Sequence, residues 1–141
     1  RFLSDGSPQG SDVQVNSETP GAQVFPSVAT FDDGSFVLAW RDDKGAVWTR
    51  RFDKNAKPTP GAPERPLAAS PAGTQTTPRL ASLGPAAIAA WQAVPAPGQP
   101  AEVRVRFVDG NGLDLKSEAV LATSPTIAGA RNSFPGAPSA V

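Results

Sequence analysis

Two stretches of the chain share one hydrophobic pattern, in which a short apolar run reaches a tight turn and a second apolar run ends on tryptophan. The first stretch is Pro26–Trp40, PSVATFDDGSFVLAW, and the second is Pro78–Trp91, PRLASLGPAAIAAW. In each stretch the residues on either side of the turn predict a β-strand. Gly34 provides the positive φ that other residues resist in the first turn, and Gly84-Pro85 forms the second corner. The pattern therefore predicts two β-hairpins.

The second strand of each hairpin is apolar at consecutive positions, which is typical of a strand covered on both sides. These strands are predicted at Ser35–Trp40 and Ala86–Trp91. Pro85 and Pro95 leave the latter run too short for a stable helix. The first strands are predicted at Ser27–Phe31 and Arg79–Leu83.

A third strand is predicted after each hairpin. Apolar and charged residues alternate over Glu102–Phe107, which indicates one covered apolar side and one wet side. The matching run is Val47–Phe52, where we expect the stem of Arg50 to pack and its head to reach solvent. Fourth strands are predicted at Glu64–Ala68, Glu118–Ala122 and, before the first hairpin, Val13–Asn16, with Pro66 fitting only an outer edge strand.

Landmarks recur along the chain at intervals of about fifty residues. Arg-Phe occurs at Arg1-Phe2, Arg51-Phe52 and Arg106-Phe107, in steps of 50 and 55 residues. Trp40 and Trp91 close equivalent apolar runs. A period of about 40–50 residues is that of four-stranded propeller blades, and a unit that is apolar on both sides needs neighbours to cover it.

We therefore predict an all-β chain, a β-propeller segment of four-stranded antiparallel blades, with a β-sandwich as the alternative. The whole of 1–141 is predicted to be a single β-repeat region. Residues 1–18 end a preceding blade, 19–69 and 70–123 are full blades, and 124–141 begin a following blade. Since closed propellers have about 4–8 blades, we expect the chain to belong to a longer parent or to be completed by other chains, with adhesive terminal faces.

Composition and charge exclude several functions. The chain has 13 Lys+Arg and 13 Asp+Glu and a formal charge of zero, so it lacks the basic field that nucleic acid selects. No apolar run approaches the ~18 residues of a membrane span. The absence of His, Cys and Tyr excludes Ser-His-Asp and Cys-His sites, the usual zinc ligands, and the tyrosine nucleophile of propeller sialidases. We predict no catalysis and no cofactor.

The first unit resembles a family of tandem propeller-like repeats found in large bacterial secreted and surface proteins. Its units look like P-x-V-A-x-x-x-D-G-x-F-V-V-x-W, a variable loop, and V-x-x-x-R-F-D-x-x-G, which Pro26–Trp40 and the VWTRRFDKNA of residues 47–56 match at most positions. The second unit retains the proline, the tryptophan and the Arg-Phe step but lacks the Asp-Gly corner. The resemblance implies an extracellular adhesive or scaffolding protein without catalytic residues.

Trp48 is the first aromatic candidate for ligand contact, because Val103 takes its place in the second unit and provides no aromatic ring. Packing within the fold is the alternative role for Trp48, and the pattern favours it. The loops Arg41–Gly45 and Val94–Pro100 should emerge at one edge of adjacent blades, and loops on rigid scaffolds carry function. For a glycan or another cell-surface ligand, the predicted binding residues are Trp48, Arg50, Asp42, Asp43, Pro97 and Gln99.

One segment offers oxygen ligands for calcium. Asp109, Asn111 and Asp114 lie within DGNGLD, but this stretch lacks the density of acids and the distal Glu of a calcium loop. Asp, Asn and Gly are also the residues that build turns. We favour a turn there and predict no metal.

The sequence thus predicts a non-catalytic extracellular binding, adhesion or assembly module. Its partners would be the remainder of a longer parent chain or other chains that complete the propeller. One alternative is part of a polysaccharide-active propeller enzyme, whose carboxylates would lie elsewhere in the parent. Another is a β-sandwich structural subunit of a fibre.

Overall fold

A computed structural model describes residues 2–69, 73–109 and 117–124. Over these ranges the chain is all-β and forms two four-stranded antiparallel sheets, in which each strand pairs with the next along the chain. None of these ranges contains a helix suited to crossing a membrane. Sheet 1 comprises β1 (Val24–Thr30), β2 (Phe36–Arg41), β3 (Val47–Phe52) and β4 (Arg65–Pro66), and sheet 2 comprises β5 (Thr74–Leu83), β6 (Ala86–Val94), β7 (Glu102–Asp109) and β8 (Ala119–Thr123).

Both predicted hairpins form, and their corners follow the turn residues. In the first, the amide of Phe31 donates to the carbonyl of Ser35 at 2.8 Å, and Gly34 adopts a φ of 80°. The carboxylate of Asp33 accepts a hydrogen bond from the amide of Ser35 at 2.9 Å and so stabilises the turn. In the second hairpin Gly84 takes the left-handed conformation, with a φ of 66°.

The hydrophobic core lies between the two sheets. Small and branched side chains on one side of sheet 1 pack against alanines and a tryptophan on one side of sheet 2, and they form one buried cluster. We call the contacting sides the trailing side of sheet 1 and the leading side of sheet 2. The trailing side of sheet 1 carries Ala29, Val37, Ala39 and Val47, and the leading side of sheet 2 carries Ala87, Ala89, Trp91 and Ala93.

The two sheets present different sides to each other. Trp40 and Trp91 close equivalent strands, and both are buried, as predicted. Trp91 lies on the leading side of sheet 2, which faces sheet 1. Because neighbouring residues of a strand point to opposite sides, Trp40 lies on the leading side of sheet 1, which faces away from sheet 2. The trailing side of sheet 1 therefore packs against the leading side of sheet 2. Two equivalent sides do not face each other.

The pairing register corrects the alignment of the third strands. Phe52 pairs with Phe36, whereas the residue that pairs with Ala87, the counterpart of Phe36, is Val108. Phe52 therefore corresponds to Val108 and not to Phe107 of the shared Arg-Phe step. A shift of one residue moves a side chain to the opposite side of a sheet, and burial decides between the two. The same shift makes Arg104 the counterpart of Trp48 and Arg106 the counterpart of Arg50, where the motif alone suggested Val103 and Val105.

The arginine side of β7 is the covered side, so the expectation that this side is wet was wrong. The Arg104 side chain is 15% exposed, whereas Val103 and Phe107 on the other side are 41% and 46% exposed. Register places Arg104 opposite Trp91 and Arg106 opposite Ala89, on the side that sheet 1 covers. Their guanidinium groups tolerate this position because hydrogen bonds satisfy them.

The outer strands are short, and one predicted strand is absent. β4 consists of Arg65 and Pro66 at the edge of its sheet, which confirms Pro66 as an edge residue. The predicted strand at Val13–Asn16 was wrong, since these residues pair with no strand among the residues described. A side chain holds this segment instead, because the Val15 carbonyl accepts a hydrogen bond from Nη1 of Arg50 at 2.7 Å.

Candidate functional site

The leading side of sheet 1 is an open apolar groove of about 740 Å³. Val28, Phe36, Leu38 and Phe52 form its floor, and residues 9–15 run along one wall. The rings of Phe36 and Phe52 are stacked, with centroids 5.3 Å apart and planes 8° from parallel. Val28 is 57% exposed. We call this surface the leading groove.

The trailing side of sheet 2 is a second apolar surface at the opposite end of the sheet pair. It is partly open, since Val105 on this side is only 7% exposed. Register puts Leu83, Ile88, Val103 and Phe107 on this side. Leu83 is 48% exposed, comparable with Phe107. We call these four residues the trailing surface. Exposed apolar patches of this kind mark interaction sites in soluble proteins.

The exposed residues of these two surfaces have counterparts inside the interface between the sheets. Val103 corresponds to Val47, which is fully buried in that interface. Val28 of the leading groove corresponds to Leu80, which packs against the core. At these positions the two open surfaces resemble the sides that meet inside the chain, whereas Phe107 corresponds to Arg51.

A repeated arginine–glutamate pair attaches a preceding segment to each sheet. On sheet 1, Nη1 of Arg50 donates to the carbonyl of Val15 and to Oγ of Ser17 at 2.9 Å. The Glu64 carboxylate accepts the amide hydrogen of Ser17 and lies 4.0 Å from Nη1 of Arg50. The expectation that the head of Arg50 reaches solvent was wrong, because this segment covers it.

Sheet 2 reproduces the same arrangement with different residues. Nη1 of Arg106 donates to the carbonyl of Leu67 at 2.7 Å, and the Glu118 carboxylate accepts the amide hydrogen of Ala69 at 2.7 Å. Arg104 adds hydrogen bonds to Glu102 and Glu118. Burial lowers the pKa of Arg106, and Glu118 partly offsets this effect. Residues 15–17 are therefore attached to sheet 1 in the same way as residues 67–69 are attached to sheet 2.

The backbone before these segments repeats as well. Phe2 forms an isolated bridge with Pro8, and Phe52 forms one with Pro58. Each bridge closes a turn of the same hydrogen-bonding type, from Leu3 to Ser7 in one case and from Asp53 to Lys57 in the other. Sequence reasoning named the Arg-Phe step but missed the paired glutamates, whose spacing after the third strand becomes visible only when the register is known.

A smaller pocket of about 180 Å³ lies beside Trp48, near the start of β3. The indole Nε1 of Trp48 donates to Asp42 at 2.9 Å, and the amide of Ala46 donates to the same carboxylate at 2.8 Å. Burial would raise the pKa of Asp42, but these hydrogen bonds outweigh burial and hold it below the usual 3.8. The pocket is lined by Glu18, Pro20, Gly21, Gln23, Asp42, Asp43, Lys44, Trp48 and Glu64.

The structure brings together only part of the predicted ligand site. Trp48, Asp42 and Asp43 line one pocket, as the sequence suggested. The guanidinium group of Arg50 instead donates hydrogen bonds to Val15 and Ser17. Pro97 and Gln99 are exposed in the loop between β6 and β7 and are not among the residues that line this pocket.

The calcium candidate lies largely outside the described residues. This applies to the side chain of Asp109 and to Asn111 and Asp114. In the part of the chain that the structure describes, no three acidic, histidine or cysteine side chains are grouped closely enough to hold a metal ion.

Comparison of the chain with protein-family models, curated proteins and solved structures gave no match. Its function is therefore argued from the surfaces described above.

Proposed function

We propose that this chain is a non-catalytic binding and assembly module, whose two sheets are units of a radial, propeller-like stack. The observation that carries the proposal is the equivalence between the buried interface and the two open surfaces. Val103 and Val47 occupy the same position in their sheets, yet one is 41% exposed and the other fully buried. A surface with this composition is built to be covered.

The outward sides of the sheets favour a stack over a β-sandwich. In a sandwich the inner sides are apolar, and outward residues along each strand alternate with them as polar residues. Here Phe36 and Leu38 lie on the outward side of sheet 1, and Phe107 lies on the outward side of sheet 2. Stacking in one constant order also allows further units at both ends, as in repeat proteins.

The roles of the carboxylates support binding over catalysis. Glu64 and Glu118 bind backbone amides and lie beside arginines, and Asp42 is bound by Trp48 and Ala46. These carboxylates hold the fold together. The proposal that the module acts outside a bacterial cell, in adhesion or as a surface scaffold, rests on the resemblance of Pro26–Trp40 to the repeat family.

Binding of the hydrophobic dye ANS to the dilute chain tests this proposal, because the dye reports exposed apolar surface. We expect bright fluorescence from the unaltered chain. Val28→Glu should reduce it by about half, since one of two apolar surfaces then carries a charge. Leu3→Glu is the matched control, because Leu3 is 50% exposed but lies in a turn. A native, folded chain that leaves the dye dark would contradict the proposal.

A second candidate function is carbohydrate binding at the Trp48 pocket. Aromatic faces pack on sugar rings, and the Asp43 carboxylate can accept hydrogen bonds from hydroxyl groups. Gly21 leaves room for Asp43, because a Cβ at position 21 would lie within 2.6 Å of its carboxylate.

An array of neutral and anionic oligosaccharides tests this second function. We expect Trp48→Ala to weaken binding about tenfold, which corresponds to the contribution of one aromatic contact. Trp48→Phe should retain most of the binding, since it keeps an aromatic face. Equal binding by the alanine variant would remove Trp48 from the site.

A further inference from the structure

We propose that a second copy of this chain covers the open surfaces, docked head to tail. The trailing surface of one copy packs into the leading groove of the next, in the order that sheets 1 and 2 already adopt within one chain. This inference rests on the proposed assembly function and names its partner.

The apolar residues of the two surfaces match the internal interface at four positions. On the trailing surface, Val103 of sheet 2 occupies the position that Val47 occupies in sheet 1, and Leu83 occupies the position of Phe31. In the leading groove, Val28 takes the position of Leu80 and Phe52 that of Val108. The side chains at these four positions differ in size but remain apolar. Phe107 is the exception, because its counterpart on sheet 1 is Arg51. The 740 Å³ groove leaves room for its larger apolar ring.

One of the two hydrogen bonds between β1 and β5 could also form between copies. Within the chain, the amide of Thr30 donates to Oγ of Ser82 at 3.1 Å, and the amide of Leu80 donates to Oγ of Ser27 at 2.9 Å. Thr30 and Ser82 occupy equivalent positions. Between copies, the amide of Ser82 would therefore meet the hydroxyl of Thr30. The second bond has no counterpart, because Arg79 stands where Ser27 does.

The contact is heterologous, since two different surfaces meet. A docked pair keeps one free leading groove and one free trailing surface, so association continues until a ring closes or a filament forms. Like surfaces pairing with like would stop at a dimer. This difference makes the geometry testable with two variants.

The test uses Val28→Glu, which blocks the leading groove, and Val103→Glu, which blocks the trailing surface at the position that corresponds to the fully buried Val47. Analytical ultracentrifugation of the unaltered chain should show a mass that rises with concentration beyond that of a dimer. Each variant alone should be a monomer, with association weakened more than tenfold, because a charge buried in an apolar contact is costly. An equimolar mixture of the two variants should form a one-to-one dimer and nothing larger.

Several results would overturn the inference. If either variant alone forms dimers, like surfaces pair with each other; if the mixture stays monomeric, the two surfaces do not fit. Circular dichroism confirms that each variant folds, and Phe107→Glu replaces Val103→Glu if the latter does not. Leu3→Glu should associate as the unaltered chain does.

The dye experiment separates this inference from the proposed function. A chain that binds ANS but stays monomeric at all concentrations would keep the assembly function and assign the surfaces to a different protein. A chain that neither binds ANS nor associates would refute both.

Discussion

Replacement of Trp91 by alanine is expected to lower the free energy of unfolding by about 3–5 kcal/mol, the range for large aromatic side chains removed from a core. Trp91 is 2% exposed and lies in the cluster between the two sheets. Its neighbours Ala87, Ala89 and Ala93 are too small to fill the cavity that the change leaves. Unfolding in urea, followed by circular dichroism, measures the loss, and a domain of this size has about 5–15 kcal/mol in total.

Trp48→Ala is the matched control for this prediction. Trp48 is half-buried near the start of β3, and part of its side chain borders the small pocket. We expect it to cost less than half as much as Trp91→Ala. Equal losses at the two positions would mean that the contact between the sheets does not dominate the stability of the chain.

Gly73→Ala is the second substitution for which we expect a large loss. Gly73 has a φ of 80°, and a Cβ there would lie 1.9 Å from the carbonyl oxygen of Val94. Strain from the left-handed conformation and overlap with a backbone atom add up to about 2–5 kcal/mol. The change should also disturb the start of β5, where the amide of Gln75 donates to the carbonyl of Gly45 at 3.0 Å. Thermal unfolding measures the effect.

Gly98→Ala separates the two causes. Gly98 has a φ of 78°, but no atom lies within 4 Å of its Cβ position. Only the conformational strain applies there, which amounts to about 1–2 kcal/mol. If the two alanine variants melt at the same temperature, Gly73 is not packed against Val94 as described.

The strands of the hairpins were predictable because their signals are local. The Asp-Gly corner, the consecutive apolar residues of β2 and the prolines around β6 act within a few positions of one another. Their consequences, a left-handed Gly34 and two buried tryptophans, appear as expected. The same holds for Pro66, since a residue without an amide hydrogen suits an edge.

The Trp48 pocket was half predictable. Asp42 and Trp48 are six residues apart on adjoining elements, so their proximity followed from a short loop. Glu18 and Glu64 reach the same pocket from distant parts of the chain. The sequence placed Pro97 in the same site because equivalent loops emerge on the same edge of adjacent units. Loops on one edge can still lie too far apart for their side chains to line one pocket.

By itself, the sequence determined the all-β class, the fifty-residue period and the hairpin turns, since each depends on neighbours along the chain. Only the tertiary structure decided which side of β7 is covered. A shift of the pairing register by one residue would place Phe107 on the covered side and the arginines on the open side. The physical reason is that the pairing register of a strand is set by which of its side chains become buried against another sheet. That contact joins residues such as Leu67 and Arg106, 39 positions apart, and no local pattern encodes it.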